Sequence, residues 1–251
     1  MAIREQSTEP TTPAVLGEHA AGGDAVFGHG GRQGRGVVGT SDDHTAIEGA
    51  TAQGIGVLGH GGPRGRGVVG IATVATAVEG YSERGAGVWG RGTPAGHFEG
   101  DVTVTGTVTA TDLILAGGDC AEDFDAAAGD LAPGSVLVID PAGGLRQSDQ
   151  PYDRRVAGVV SGAGSLRPGI VLDRAGAAGE RVTVALNGKT FCMVDAEHAP
   201  IEVGDLLTTS ATPGCAMKAV DPQRSFGAVI GKALQECPAG RGLIPILVAL
   251  H

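Results

Sequence analysis

The sequence predicts an all-β protein with a repetitive N-terminal segment and a separate C-terminal β domain. Glycine occurs 45 times in 251 residues while aromatic residues make up only 3%, a composition that favours tight turns and thin aliphatic cores. A short glycine-ended motif recurs every ten or eleven residues up to residue 100. Beyond residue 118, short apolar runs alternate with Gly, Pro, Asn and Asp, which is typical of a barrel or sandwich.

Changes in composition divide the chain into four segments. These are a polar tail at 1–13, a tandem-repeat shaft at 14–100, a threonine-rich stem at 101–118 and an all-β domain at 119–251. We expect the tail to be disordered. A chain of this length is enough for about two ordinary domains of roughly 100–150 residues each, which agrees with one shaft and one C-terminal domain.

The repeated motif has the form Gly/Ala-Val-x-Gly and occurs in nine copies, the last of them degenerate. Its second position is β-branched in the first eight copies, which suits an extended strand whose side chain points into a narrow core. We therefore predict that this column is the structural core of the shaft. Its members are Val26, Val37, Ile47, Val57, Val68, Val78 and Val88.

The other motif positions also have physical interpretations. The third position is variable and includes Glu48 and Glu79, so strand alternation places it on the opposite face. The first position is Gly or Ala through the copy that contains Val88, which predicts that another stretch of backbone passes close by. The closing glycine can adopt the positive φ of a sharp corner.

A longer period lies over the short one. The segment GHGGRQGRGVVG at 28–39 returns as GHGGPRGRGVVG at 59–70, and Glu48 returns as Glu79, both thirty-one residues later. Three short units thus form one superunit, as expected for a triangular β-helix or β-prism. Nine strands give only a few turns with open edges. We favour three chains that complete one another's core; the alternative is a monomeric solenoid capped by the C-terminal domain.

The stem reads GDVTVTGTVTATDLILAGG at 100–118, where Val102, Val104 and Val108 alternate with threonines. Such alternation predicts a half-buried strand. The GVxG repeats followed by this stem resemble the shafts of phage tail fibres and related bacterial fibre-like proteins, over about residues 14–118. The resemblance implies a homotrimeric shaft in a structural, viral-type protein. The self-cleaving chaperone that ends many such fibres is not expected here, because Ser148 has no lysine nearby in sequence.

The C-terminal domain contains nine apolar runs that we predict to be strands. They lie at 135–140, 155–161, 169–173, 181–188, 190–195, 205–210, 216–220, 227–234 and 243–250. The segments APIEVGDLLTTSATPGCAMKAV and FGAVIGKAL are similar to the small β-barrels of phage capsid-decorating and fibre-knob proteins. This resemblance implies a knob-like domain at a particle surface, with a role in receptor binding.

Two sets of residues are candidate metal ligands. His29 and His60 share one phase of the superunit and could meet around a threefold axis. The second set offers carboxylate oxygens for calcium and consists of Asp119, Glu122, Asp123 and Asp125. The simpler interpretations are polar corner histidines and a solvated linker, since the spacing of a calcium loop is missing. We therefore predict neither a metal nor a cofactor.

The sequence offers few residues for ligand contact or catalysis. Tyr81, Trp89 and Phe98 near the end of the shaft are candidate contacts for a sugar ring, or cap residues that close the last repeat.

His198 is the only interior histidine of the C-terminal domain, and no G-x-S-x-G, P-loop or H-E-x-x-H motif accompanies it. The four cysteines form no C-x-x-C pair and are interpreted as plain thiols. We predict no catalytic residues and no enzymatic activity.

Charge and hydropathy limit the partners. Lys and Arg number 18 against 28 Asp and Glu, giving a net charge of −10, which opposes attraction to nucleic acids and anionic membranes. No apolar stretch approaches the roughly 18 residues of a membrane span. The N-terminus MAIREQSTEPTTPA lacks the apolar core of a secretory signal. We expect cytoplasmic synthesis, with a phage particle, an injection device or lysis carrying the protein to an outer surface.

These observations predict a structural fibre- or spike-like protein that mediates attachment or recognition at a particle or cell surface. Its expected partners are two further copies of itself and a surface glycan or protein receptor. One alternative is a carbohydrate-binding or glycan-processing surface module. Another is a self-assembling shell or filament component.

Overall fold

The computed structural model describes residues 24–30, 34–127, 131–174 and 180–250. The chain divides into two compact units, Met1–Val102 and Thr103–His251. The predicted tail at 1–13 and the first motif copy at 14–17 lie outside the described residues. In the part of the chain that is described, no helix has the length and apolar character needed to cross a membrane.

The repeats of the first unit are built around polar turns. In three turns a hydroxyl group accepts a hydrogen bond from the backbone N–H three residues later. These pairs are Ser41 with His44, Thr51 with Gly54 and Ser82 with Gly85, at 3.2, 3.1 and 2.9 Å. In a fourth turn the Gly65 N–H donates to the Gly62 carbonyl at 2.9 Å. The turns follow the spacing of the motif, so the repeat in the sequence is also a repeat in backbone structure.

Glycines of the motif lie where two stretches of backbone meet across a turn. A Cβ atom on Gly28 would lie 2.6 Å from the Gly36 carbonyl oxygen, and one on Gly36 would lie 2.7 Å from that of Gly28. Real Cβ atoms essentially never come closer than 3.0 Å to such an atom. The predicted close backbone approach is therefore confirmed. The predicted positive φ is wrong for the closing glycines of this stretch except Gly100, whose φ is 120°.

The apolar side chains of the first unit face solvent, and its described residues form no β-strand. Members of the column predicted as the core are each 65–77% exposed. The column comprises Val26, Val37, Ile47, Val57, Val68, Val78 and Val88. The turns bring backbone together and leave these side chains outside, so a single chain does not bury them.

The threonine-rich stem at 101–118 forms no strand either. Val102, Val104 and Val108 are each at least half exposed. A strand needs neighbours that pair with its backbone and cover its apolar face, and the described chain provides neither here. The prediction of a half-buried strand is therefore wrong for the single chain.

The second unit is nearly all-β. It contains β1 (Asp119–Asp125), β2 (Val136–Ile139), β3 (Leu145–Gln147), β4 (Val156–Val160), β5 (Pro168–Leu172), β6 (Arg181–Asp195), β7 (Leu206–Thr209), β8 (Ala216–Lys218), α1 (Pro222–Ser225), β9 (Val229–Ala233) and β10 (Arg241–Ala249). Each predicted run coincides with a strand, although the runs at 181–188 and 190–195 form one continuous strand. Strands β1 and β3 and helix α1 were not predicted from the sequence.

Five strands close a barrel, as the sequence predicted in outline. Strand β6 pairs with β10, β10 with β9, β9 with β7 and β7 with β8. Strand β8 returns to β6 where Val194 pairs with Ala216. The interior is aliphatic, and its largest fully buried side chains include Leu207, Ile230 and Ile246.

The first half of β6 builds an extension beside the barrel. It pairs with β1 in antiparallel orientation and with β4. Strand β5 adds to β1 in parallel, while β2 adds to β4 and β3 adds to β2. A second apolar cluster forms here and contains Leu137, Leu145, Val160, Val182 and Val184. The acidic run at 119–125 is therefore a strand, and its interpretation as a linker is wrong.

Gly188 lies where β6 passes from the extension to the barrel. It pairs with Asp119 of β1 on one side and with Val248 of β10 on the other. Its φ is 104°, and a Cβ atom would lie 2.6 Å from the Gly118 carbonyl oxygen. Both the backbone conformation and the close approach require glycine at this position.

We expect Gly188→Ala to destabilise the C-terminal domain by at least ~2 kcal/mol, because a positive φ and a steric clash each add about 1–2 kcal/mol or more. Gly204→Ala is the matched control: its φ is 93°, but no described atom lies within 4 Å of the added Cβ. The control variant should be destabilised only by the cost of placing alanine at a positive φ. Urea unfolding followed by far-UV circular dichroism measures both. Equal losses would mean that close packing at Gly188 is unimportant.

Candidate functional site

Two of the acidic candidate ligands on β1 have partners on neighbouring segments. The Thr183 hydroxyl donates to Asp123 Oδ1 at 2.5 Å, and Arg174 Nε lies 3.6 Å from Asp123 Oδ2. Arg181 Nε lies 3.5 Å from Asp125 Oδ1. Among the described residues there is no group of three or more His, Cys, Asp or Glu side chains that could share a metal ion. These two carboxylates hold the extension together.

The remaining candidates, apart from Asp119, are exposed or half-buried. Glu122 is half-buried on β1, and His29 and His60 are exposed in the first unit. Tyr81, Trp89 and Phe98 are each more than three-quarters exposed. The structure gathers none of the described candidates of the first unit into a shared site, so their proposed roles toward a metal or a sugar stay predictions.

The cysteines are free thiols, and Cys192, Cys215 and Cys237 are buried. Burial raises the pKa of Cys192 and of Cys215, since a thiolate loses its hydration in an apolar interior. These thiols are therefore poor nucleophiles. Their packing agrees with the interpretation of the cysteines as plain thiols.

Asp119 differs from the other acidic candidates because it is buried at the start of β1. Its Oδ2 atom accepts a hydrogen bond from the Ser161 hydroxyl at 2.8 Å. Burial raises the pKa of Asp119, and the hydrogen bond from Ser161 offsets only part of that rise. The ionised carboxylate is therefore an unfavourable element at the junction between β1 and β6.

We expect Asp119→Asn to raise the melting temperature of the protein at about pH 7, well above the ordinary pKa of an aspartate. A raised folded-state pKa means that wild-type stability falls as pH rises from the unfolded value of 3.8 through the folded pKa. The advantage of the amide should therefore shrink once the pH drops below that unfolded value. Calorimetry across this range checks the trend. A variant that is less stable at neutral pH would show that the fold needs the ionised carboxylate.

A cleft of about 310 Å³ opens on the C-terminal domain. Three segments that are distant in sequence form it: the turn before β4, the loop after β6, and the stretch from Ala211 through β8 to α1. Its apolar lining residues are Pro151, Ala199, Ala211, Met217 and Val220, and its polar ones are Tyr152, His198, Lys218 and Arg224.

Tyr152 is held in the left-handed region, with a φ of 60°. Its phenol oxygen accepts hydrogen bonds from the backbone N–H groups of Val220 and Asp221, both at 3.0 Å. The Tyr152 N–H donates to the Thr209 carbonyl at 3.2 Å, and the Asp153 N–H donates to the Thr209 hydroxyl at 2.7 Å. A non-glycine residue stays in this conformation only when its surroundings fix it; here β7 and the α1 segment do so.

The next residues fix the same turn through a charged pair. Asp153 accepts two hydrogen bonds from the Arg155 guanidinium, at 2.6 and 3.0 Å. These contacts lower the pKa of the buried Asp153 carboxyl and keep it ionised at neutral pH. The turn that carries Tyr152 is therefore rigid on both sides.

Arg224 is positioned by the short helix α1. Asp221 caps the helix, accepting from the Gln223 N–H at 2.9 Å and the Arg224 N–H at 3.3 Å. The Arg224 guanidinium lies 4.4 Å from the centre of the Tyr152 ring and donates to the Pro151 carbonyl at 3.1 Å. A cation–π contact of this kind and a backbone acceptor hold the guanidinium against the cleft wall.

The cleft is locally cationic in a chain whose net charge is −10. The Lys218 ammonium is paired with Asp205 at 2.8 Å. Neither His198 nor Arg224 forms an ion pair with a carboxylate in the described part of the chain. The Arg224 guanidinium thus faces the cleft without a salt bridge in the described chain, whereas His198 interacts electrostatically with the Asp195 carboxylate.

Neither Tyr152 nor Arg224 was predicted from the sequence as a site residue. His198 was considered for catalysis and given no catalytic role. No local motif joins them, since the chain brings them together only through the barrel. One available signal was the rarity of tyrosine, which occurs twice in the chain.

No protein-family model matches the chain, and no curated protein shows a significant match to it. The fold defines the class: a nearly all-β protein that carries a five-stranded barrel.

Proposed function

We propose that this protein is a trimeric fibre- or spike-like structural protein whose repeats form the shaft and whose barrel attaches to, or recognises, a surface. The observation that carries the proposal is the column of seven β-branched residues, from Val26 to Val88, that stays 65–77% exposed in one chain. Soluble monomers rarely expose long contiguous apolar surface. Packing against other chains would bury the column.

The proposed number of three chains is supported by the superperiod of the repeats and by their resemblance to phage fibre shafts. The copies AIEG at 46–49 and AVEG at 77–80, which lie three units apart, both have alanine at the first position and glutamate at the third. A triangular shaft repeats its environment every three units. Identical chains around a closed axis would supply the same column from each side, and each buried Val or Ile would contribute about 1.5–3 kcal/mol.

The role of the C-terminal domain is proposed as binding, without catalysis. Its cleft combines apolar walls with hydrogen-bond donors that are fixed by neighbouring backbone groups. This arrangement suits the holding of a ligand. A compact barrel at the end of a shaft also suits attachment, because the shaft supplies reach and the barrel supplies a rigid surface.

Light scattering coupled to size-exclusion chromatography tests the assembly. We expect the full-length protein to elute with three times its 24.9 kDa chain mass. A clean monomer mass across the accessible concentration range would overturn the trimeric shaft, and a polydisperse, much larger mass would indicate a filament or shell.

Val68→Asp should abolish this assembly, whereas Glu79→Ala should leave it unchanged. Val68 is 72% exposed in the single chain, so a carboxylate there is compatible with the isolated chain but not with a buried interface. Glu79 lies at the variable third position and serves as the control. Light scattering gives the mass, and far-UV circular dichroism confirms that the barrel remains folded. Loss of assembly in Glu79→Ala alone would show that the two faces were assigned the wrong way round.

A further inference from the structure

We propose that the cleft lined by Tyr152, His198 and Arg224 binds an anionic sugar, of the class of a uronic acid unit in a surface polysaccharide. The assignment rests on the proposed recognition function and names its ligand class. It is carried by the Arg224 guanidinium, which has no salt bridge among the described residues and lies beside an apolar wall, held in position by the Pro151 carbonyl and the Tyr152 ring.

The charge of the cleft favours an anion. The Arg224 guanidinium uses one N–H on the Pro151 carbonyl and lies 4.4 Å from the centre of the Tyr152 ring. Its remaining N–H groups can bind a carboxylate in a forked geometry. His198 lines the same cleft and adds a ring N–H donor. A carboxylate bound by Arg224 would receive charge-assisted hydrogen bonds, which are the stronger kind.

The size and the apolar lining favour a sugar ring. Small-molecule sites span roughly 300–1,000 Å³, so a cleft of about 310 Å³ accommodates one compact ring. Met217 forms part of the lining and Val220, which is 64% exposed, forms part of the rim. These side chains can pack against the C–H face of a pyranose. A lone acidic side chain of a peptide would leave much of that wall uncovered.

A chain of sugars could extend beyond the cleft. Phe226 follows Arg224 by two residues and is 83% exposed. It is displayed by a firm turn, because the buried Ser225 donates its hydroxyl hydrogen bond to the Asp221 carbonyl at 2.6 Å. Exposed aromatic faces suit stacking against sugar rings, so Phe226 is the expected contact for a neighbouring unit of the polysaccharide.

The site is preorganised, which lowers the entropic cost of binding. Tyr152 is hydrogen-bonded to the backbone of Val220 through its phenol oxygen and to the Thr209 carbonyl through its N–H group. Arg224 is bonded to the backbone and packed on the ring. Few rotamers therefore have to be fixed when the ligand enters.

Isothermal titration calorimetry of the full-length protein with trigalacturonic acid and with galactotriose tests the proposal. We expect the acidic trisaccharide to bind at least about tenfold more tightly than the neutral one, a difference of about 1.4 kcal/mol. Arg224→Gln should weaken binding of the acidic trisaccharide by a similar factor. Lys189→Gln, which removes one positive charge from the exposed surface of the same domain, is the matched control and should bind as the wild type does.

A second variant guards against a folding defect in Arg224→Gln. Val220→Glu places a negative charge on the exposed rim, where the fold tolerates a polar side chain, and should abolish binding of the acidic trisaccharide. Melting temperature and assembly mass of each variant are measured in parallel. Wild-type affinity in a folded Arg224→Gln or Val220→Glu variant would overturn the assignment.

Three further results also decide against the sugar assignment. Equal affinity for both trisaccharides would remove the role of charge. Binding of hexaglutamate with the same dependence on Arg224 would identify an acidic-peptide site. A trimeric protein that attaches to cells but binds no acidic sugar would retain the proposed function and lose this site.

A monomeric protein, by contrast, would overturn the trimeric shaft, and calorimetry would still test the cleft.

Discussion

Strand β6 is the element on which the C-terminal domain depends, and Gly188 is the residue that lets one strand serve two structures. Before it, Val182 and Val184 point into the core of the extension; after it, Cys192 and Val194 belong to the core of the barrel. At the crossing, β1 and β10 approach β6 from opposite sides. A side chain at Gly188 would clash with the backbone of Gly118 and Asp119. Because both cores share β6, the two halves are expected to fold as one cooperative unit.

Glycine has the same local role in the repeats, but there the apolar side chains stay exposed. There too, a missing Cβ lets two stretches of backbone touch, as Gly28 and Gly36 do. Because each repeat folds back at a polar turn within about ten residues, it has no sheet long enough to cover its own side chains. The first unit therefore presents its valine column to solvent, whereas the second unit buries its aliphatic residues by itself. This contrast is the physical basis for proposing that only the first unit needs other copies.

The sequence predicted the barrel strands well because each apolar run is bounded by turn residues, so local pattern and tertiary structure agree. It failed at β1, where Asp123 and Asp125 suggested a linker. Asp123 accepts a hydrogen bond from Thr183, and Asp125 pairs with Arg181, both on β6, contacts that no local pattern reveals. In the repeats, periodicity identified a column of equivalent residues but did not predict that these side chains stay exposed in a single chain. The cleft was invisible for a related reason, since its segments meet only through the closed barrel.

Electrostatic interactions in the cleft act only over a short range. At physiological ionic strength, exposed charges are screened beyond about 8 Å, so the surplus of acidic residues over the whole chain has little influence on a ligand held beside Arg224. What matters is that Lys218 is already paired with Asp205, whereas Arg224 lies against an aromatic ring and a carbonyl that leave its charge uncompensated. An acidic protein can thus present one site for an anion.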